Sequence, residues 1–158
     1  MKIIEDDLSS KKVAALLAEH LAGMTRHTPE ESIHALELPA LRAPDITFFT
    51  AWNNAELLGC GALKELDASH GEIKSMRTAS AHLGQGVATA ILSRLIDESL
   101  KRSYLRLSLE TGSGPAFQPA LSLFEKFGFE YCGPFEDYTD DPFGRFMTLS
   151  LASGQRYR

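Results

Sequence analysis

Leu83-Gly84-Gln85-Gly86-Val87-Ala88 decides how this chain is read. A strand-like run over 72–78 leads into it, and a helix-like run from Gly86 to about Ser103 leaves it. Glycine has no Cβ, so at 84 and 86 the backbone can turn and aim consecutive N–H groups into one concavity. The helix adds its unpaired N-terminal donors and the positive end of its dipole. A strand–turn–helix of this kind cradles a phosphate or pyrophosphate through its backbone. Taken alone, it is equally compatible with a plain tight turn. Two nucleotide motifs are excluded. No Gly-x-x-x-x-Gly-Lys-Ser/Thr occurs, and Thr89 stands where Gly-x-Gly-x-x-Gly needs its third glycine.

Downstream of the turn, Val87, Ala88, Ile91, Leu92, Leu95 and Ile96 recur at helical spacing, with Arg94, Asp97, Glu98 and Lys101 on the wet side. Residues 104–111 alternate Leu105, Leu107 and Leu109 with polar residues, which predicts a strand. Strand, helix and strand so close together predict a parallel crossover. Upstream, 46–52, 56–65 and 71–78 read as strands joined by short turns, an antiparallel meander. A helix ending at Phe127, with Gly128 as its C′ residue, follows the loop at 112–115. Strands at 130–133 and 145–151 flank an acidic loop at 136–141. At the N-terminus, a strand over 2–5 precedes a helix capped by Asp6 or Ser9 and running to about Gly23. Thr28-Pro29-Glu30-Glu31 opens a second helix. The fold class expected is α/β: an antiparallel meander joined by a crossover to a parallel pair, with helices on both faces. Residues 1–152 form one domain, and 153–158 a frayed tail.

The chain has 158 residues, 44% hydrophobic and 23% charged, ordinary values for a globular protein. A net charge of -5 argues against nucleic acid or anionic membrane as partners. An anionic ligand must then be held by local donors, which the Gly84/Gly86 turn offers. Cys60 and Cys132 sit in apolar surroundings and read as free thiols in a reducing compartment. No signal-peptide core and no run approaching about 18 apolar residues occurs, so a cytoplasmic location is expected. A homodimer is compatible with all of this.

The central stretch, with its strand and helix, resembles the acetyl-CoA site of the GNAT superfamily of N-acetyltransferases. That family reads Arg/Gln-x-x-Gly-x-Gly/Ala where this chain has Leu83-Gly84-Gln85-Gly86-Val87-Ala88. A second block, Ala120-Leu121-Ser122-Leu123-Phe124-Glu125-Lys126-Phe127-Gly128-Phe129, resembles the family's Ala-x-x-Leu-Tyr-Glu-Lys-x-Gly-Phe. The blocks stand in the family's order and separation, and the resemblance covers residues 46–151. Leu83 replaces the usual Arg or Gln, and Phe124 the usual Tyr. The resemblance implies that strands 71–78 and 104–111 splay around the thioester of acetyl-CoA. Met76, Arg77 and Thr78 would pair by backbone with its amide arm. The amides of Gly84, Gln85, Gly86, Val87 and Ala88 would take the pyrophosphate, with the Thr89 hydroxyl beside them, and Leu83 would border the cofactor without the usual Arg or Gln side chain. Phe117 stands where many members carry Asn, and Phe124 where the tyrosine protonates the departing sulfur.

Transfer to an amine needs a base, because an aliphatic ammonium has a pKa near 10.4. Glu72 and Glu110 lie on the two parallel strands, and His34 lies in the helix expected to border the acceptor. Each also has a structural reading: Glu72 paired with Lys74 or a neighbouring strand, Glu110 on the loop amides of Gly112 and Ser113, His34 against the core. His20, His27 and His34 fit no metal-ligand spacing, so no metal is expected. The acceptor pocket implied by the resemblance spans 23–44, where Arg26 and Arg42 could clamp a carboxylate or simply face solvent. The acidic loop at 136–141 favours a cationic acceptor instead. The expected activity is therefore acetyl transfer from acetyl-CoA to a primary amine of a small molecule or exposed peptide. A non-catalytic acyl-CoA sensor of the same fold and a plain phosphate binder are the alternatives.

Overall fold

Strands β2 (Ile46–Asn53) and β3 (Glu56–Asp67) close a hairpin over Asn54, which takes the left-handed φ of 57° that asparagine tolerates. The computed structural model describes residues 1–27 and 38–151. Around the hairpin lie β1 (Lys2–Glu5), α1 (Lys11–His27), β4 (His70–Thr78), α2 (Val87–Lys101), β5 (Arg106–Gly112), α3 (Gln118–Lys126), β6 (Glu130–Cys132) and β7 (Gly144–Ser150). Among the described residues they build one sheet of seven strands in the order β1-β2-β3-β4-β5-β7-β6. Among the described strands only β4 and β5 run parallel, joined by the α2 crossover. The meander, the crossover and helices on both faces match the sequence expectation.

Each face of the sheet has its own core. On one, Val87, Ile91, Leu92 and Leu95 of α2 and Leu121 and Phe124 of α3 pack on Phe49, Leu63, Leu107 and Met147. On the other, Val13, Leu16 and Leu17 of α1 meet Phe48, Leu57, Cys60 and Ala62. Alternation along β2 explains the division: Phe48 and Phe49 are neighbours in sequence and point to opposite cores.

Several boundaries differ from expectation for local reasons. Ser10 caps α1, its Oγ accepting the Lys12 N–H at 3.1 Å. Asp6 and Ser9 are used in the turn before it: Asp6 accepts the Leu8 N–H at 2.7 Å, and the Ser9 hydroxyl donates to Asp7. The helix runs on to His27 instead of stopping at Gly23. Strand β5 starts at Arg106 because Ser103 takes φ 63° and the Tyr104 N–H turns back to Ser99 O. The helix expected from Thr28, and the tail at 153–158, lie outside the described residues.

One ionic network locks α2 to the sheet. Glu98 accepts from Arg94 and Arg102, both at 2.9 Å, and Arg102 donates onward to Thr47 Oγ1 of β2 at 2.7 Å. Burial pushes the Glu98 carboxyl up, but Arg102 and Arg94 outweigh it and hold it below its ordinary 4.5. A depressed carboxylate stabilises the fold above its unfolded pKa, and that contribution fades as pH falls through the folded one. Glu98→Gln is therefore expected to lower Tm by about 2–4 °C at pH 7, roughly 1 kcal/mol for a partly exposed pair. The gap to wild type should close in thermal scans below pH 4.5.

Candidate functional site

The turn into α2 is shaped by torsion. Gly84 and Gly86 hold φ of 75° and 81°, and a Cβ at either would meet nothing within 4 Å. Glycine is needed there for its backbone freedom, since the space is open. No side chain caps α2, and its first intrahelical bond runs from Ala90 N–H to Gly86 O. The N–H groups of Val87, Ala88 and Thr89 thus have no partner within the helix. Leu83, Gly84, Gln85 and Gly86 are exposed around them, as is Thr89. His82 anchors the turn, with Nδ1 3.1 Å from Gln85 Oε1 and Nε2 2.9 Å from Glu56 Oε2 on the β2–β3 hairpin. Gln85 and then Glu56 hold its pKa above the ordinary 6.5.

A second opening lies between β4 and β5. Their pairing runs only from His70↔Arg106 to Ile73↔Leu109. Just beyond, β4 bulges: the β3 register passes from Ala62↔Lys74 to Cys60↔Arg77, three residues on β4 against two on β3. Ser75, inside the bulge, takes φ 51°. A bulge increases twist and bends the strand, here where β4 leaves β5. The Ala79 N–H donates to Leu58 O at 2.8 Å, so Thr78, one residue back, turns its own backbone groups away from β3.

The gap holds a cavity of about 110 Å³. Lys74, Ser75 and Met76 line it from β4, and Glu110 and Thr111 from β5. Phe124 of α3 closes one side of the sheet, and His20 and Met24 of α1 close the other. A larger, open cleft of about 720 Å³ lies between α1 and the β2–β3 turn, but no residue of β5 or α3 reaches it.

The two acidic candidates part here. Glu110 is the first residue past the last β4–β5 pair and lines the cavity. Glu72 sits inside the paired zone opposite Ser108, 2% exposed. Its Oε2 accepts the Tyr138 hydroxyl at 2.6 Å and the Lys74 ammonium at 3.2 Å, and Lys74 also donates to Tyr138 at 2.7 Å. This is the pairing with Lys74 that the sequence offers as a structural reading of Glu72. Burial, then the Glu72 charge, raise the Tyr138 phenol well above its ordinary value. His34 lies outside the described residues.

Sequence reasoning missed His20 as a cavity residue. The signal was available, because Leu16, His20 and Met24 stand four apart on the buried stripe of α1. Burial, with Arg77 nearby, pushes its pKa down to about 4, so the imidazole is neutral at pH 7. The Arg77 side chain turns to α1 and pairs with Glu19 at 3.0 Å. Phe117 lies over Gly112, where a Cβ would come within 2.4 Å of its ring. Arg42 donates to Leu8 O at 2.9 Å, and Arg26 is exposed on α1. Phe124 is 4% exposed and packs edge-on against Phe129. The Tyr131 hydroxyl donates to Glu125 at 3.1 Å on the outer strand. No tyrosine lines the cavity among the described residues. The thiol of Cys60, fully buried under the bulge, donates to Ser75 O at 3.3 Å. Among the described residues, no three His, Cys, Asp or Glu side chains are grouped to hold a metal ion, and no helix is long and apolar enough to cross a membrane.

The chain is similar to known proteins in sequence and in fold. The profile of the acetyltransferase (GNAT) family matches residues 13–129. The uncharacterized N-acetyltransferase YsnE of Bacillus subtilis (strain 168) is 58% identical, over 96% of this chain and 100% of its own. The uncharacterized N-acetyltransferase YedL of Escherichia coli (strain K12) is 47% identical, over 92% of each chain. A GNAT family acetyltransferase from Elizabethkingia anophelis, solved with acetyl-CoA bound, superposes with a TM-score of 0.69 at 20% identity, covering 95% of this chain and 97% of that one.

Proposed function

The chain belongs to the acetyltransferase (GNAT) family, and from that premise we propose that it moves the acetyl group of acetyl-CoA onto a primary amine of a small molecule or exposed peptide. The observation that carries this is the β4–β5 gap, whose cavity opens immediately past the last bonded strand pair. The residues present fit the co-substrate. The uncapped amides of Val87, Ala88 and Thr89, with Leu83, Gly84, Gln85 and Gly86 exposed before them, suit a pyrophosphate. The outward backbone groups of Thr78, with Met76 and Arg77 on the same splayed edge, suit an amide arm. Acetyl-CoA supplies the activated acetyl group: an N–C bond forms, the C–S bond breaks, and the sulfur leaves as thiolate.

Glu110 takes the proton that the acceptor ammonium must lose, being the carboxylate at the cavity wall. Glu72 positions Lys74 and Tyr138. His20, already neutral, accepts or donates a hydrogen bond without bringing charge into the gap. A screen of amine acceptors for released CoA thiol tests the reading directly. One observation favours the sensor reading: Phe124 has no proton to give. Thiolate departs more readily than an amine, however, since a thiol pKa near 8.5 lies below 10.4. Phe124→Tyr is expected to raise kcat by up to about 100-fold if the phenol alone is missing. A protein that binds acetyl-CoA yet acetylates no amine, with Phe124 or with the tyrosine variant, is a sensor.

Leu83 is 67% exposed at the position where the family carries a cation or amide. Leu83→Arg is expected to tighten acetyl-CoA binding by about three- to tenfold in calorimetry, a charged hydrogen bond reduced by exposure.

A further inference from the structure

Two hydrogen-bond donors in the β4–β5 cavity are left unspent by the fold, and they are neighbours in sequence. The Lys74 ammonium carries three N–H groups. Glu72 and Tyr138 take two, and no third hydrogen bond is made among the described residues, although the side chain is only 8% exposed. Ser75 is also 8% exposed, and its Oγ is buried with no partner among the described residues. An orphaned buried hydroxyl is costly and rare in native folds. Ser75 moreover holds a φ of 51°, a conformation that serine seldom adopts. Both residues line the cavity on the bulge that opens it, and Glu110 lines it from the facing strand.

One wall therefore offers donors and the other a carboxylate. A plain alkylamine would meet Glu110 and leave the donors empty. An amine whose adjacent carbon bears a carbonyl or carboxylate oxygen would satisfy both walls. We infer that the acceptor is an α-amino acid or its amide, with its amine toward Glu110 and its α-carbonyl oxygen held by the Ser75 hydroxyl and the remaining Lys74 N–H. Because Glu72 already balances Lys74, the oxygen is recognised by hydrogen bonding more than by net charge. The inference rests on the transferase reading above and narrows its substrate.

Matched triplets test it: an amino acid, its amide and its decarboxylated amine, taken across apolar, polar and aromatic side chains. Wild-type kcat/KM should favour the acid or the amide over the bare amine by at least about tenfold, since a site built for a polar group rejects the analogue lacking it. A preference for the acid assigns free amino acids, and one for the amide assigns peptide N-termini. Ser75→Ala and Ser75→Gly should lower the ratio by at least about threefold, mainly through KM, the Lys74 N–H holding the rest. The glycine variant accepts the backbone conformation without strain, and circular dichroism checks both folds. Equal use of all three amines by wild type overturns the inference alone. So does a preference that survives both variants undiminished, or an equal fall for all three amines, which would assign the hydroxyl to the thioester. Turnover of no amine while acetyl-CoA still binds overturns the transferase reading and this inference together.

Discussion

Gly86→Asp should weaken acetyl-CoA binding by roughly 100-fold or more in calorimetry, whereas Gly86→Asn should lose less than about tenfold. Residue 86 sits at φ 81°, and asparagine and aspartate are the side chains that tolerate this region best. A Cβ there meets nothing within 4 Å, so neither variant clashes with the fold. The two side chains have nearly the same shape and differ by one charge. That charge would stand beside the pyrophosphate on the uncapped end of α2. Like charges about 4 Å apart repel by about 4 kcal/mol at an effective dielectric near 20, and the exposure of the turn reduces this. Added salt should narrow the difference between the variants. Equal affinities for the two would remove the pyrophosphate from this turn.

Glu110→Gln should lower kcat by about 10²–10⁴-fold and erase the acidic limb of the pH–rate profile, with acetyl-CoA affinity little changed. The glutamine keeps the size of the side chain and its hydrogen bonding, and gives up only the capacity to take a proton. Glu72→Gln should behave differently. It leaves the buried Lys74 ammonium without a charge to balance it, the amide oxygen and Tyr138 being its remaining acceptors, a loss of about 3–5 kcal/mol that appears as a fall in Tm. Its pH–rate limb should persist. The reverse pattern, a limb lost with Glu72 and kept without Glu110, would move the proton acceptor to Glu72.

The contrast between these carboxylates marks where sequence reading stops. Period-two alternation puts Glu72 and Glu110 on strands, but which of them meets the gap depends on parallel register. That register ends at Ile73↔Leu109, which no local pattern encodes. The Gly84/Gly86 turn was readable because its torsions demand glycine, and the strand order followed from hydrophobic period and the crossover rule. The bulge was not readable. Lys74-Ser75-Met76 contains no glycine or asparagine to announce a positive φ, so its conformation is imposed by pairing on either side. Arg42 was read as half of a carboxylate clamp and is used on Leu8 O, a contact 34 residues away in sequence. The roles of Phe124 and Phe117 came from resemblance alone, and their packing against Phe129 and Gly112 depends on tertiary neighbours.

The thiol under the bulge bears on the chemical safety of the site. A protein that handles an acyl thioester risks exchange with its own cysteines, which would trap the acetyl group on sulfur. Cys60 hydrogen-bonds to the very residue that lines the cavity, yet burial, working against the nearby Arg77, pushes its pKa up to about 12. At pH 7 the thiolate is then about 10⁻⁵ of the population, and only thiolate attacks a thioester. Cys132 is likewise shifted upward by burial. The fold thus keeps a small, well-packing side chain beside the β4–β5 gap as a fully buried, protonated thiol, so burial and protonation both oppose self-acylation.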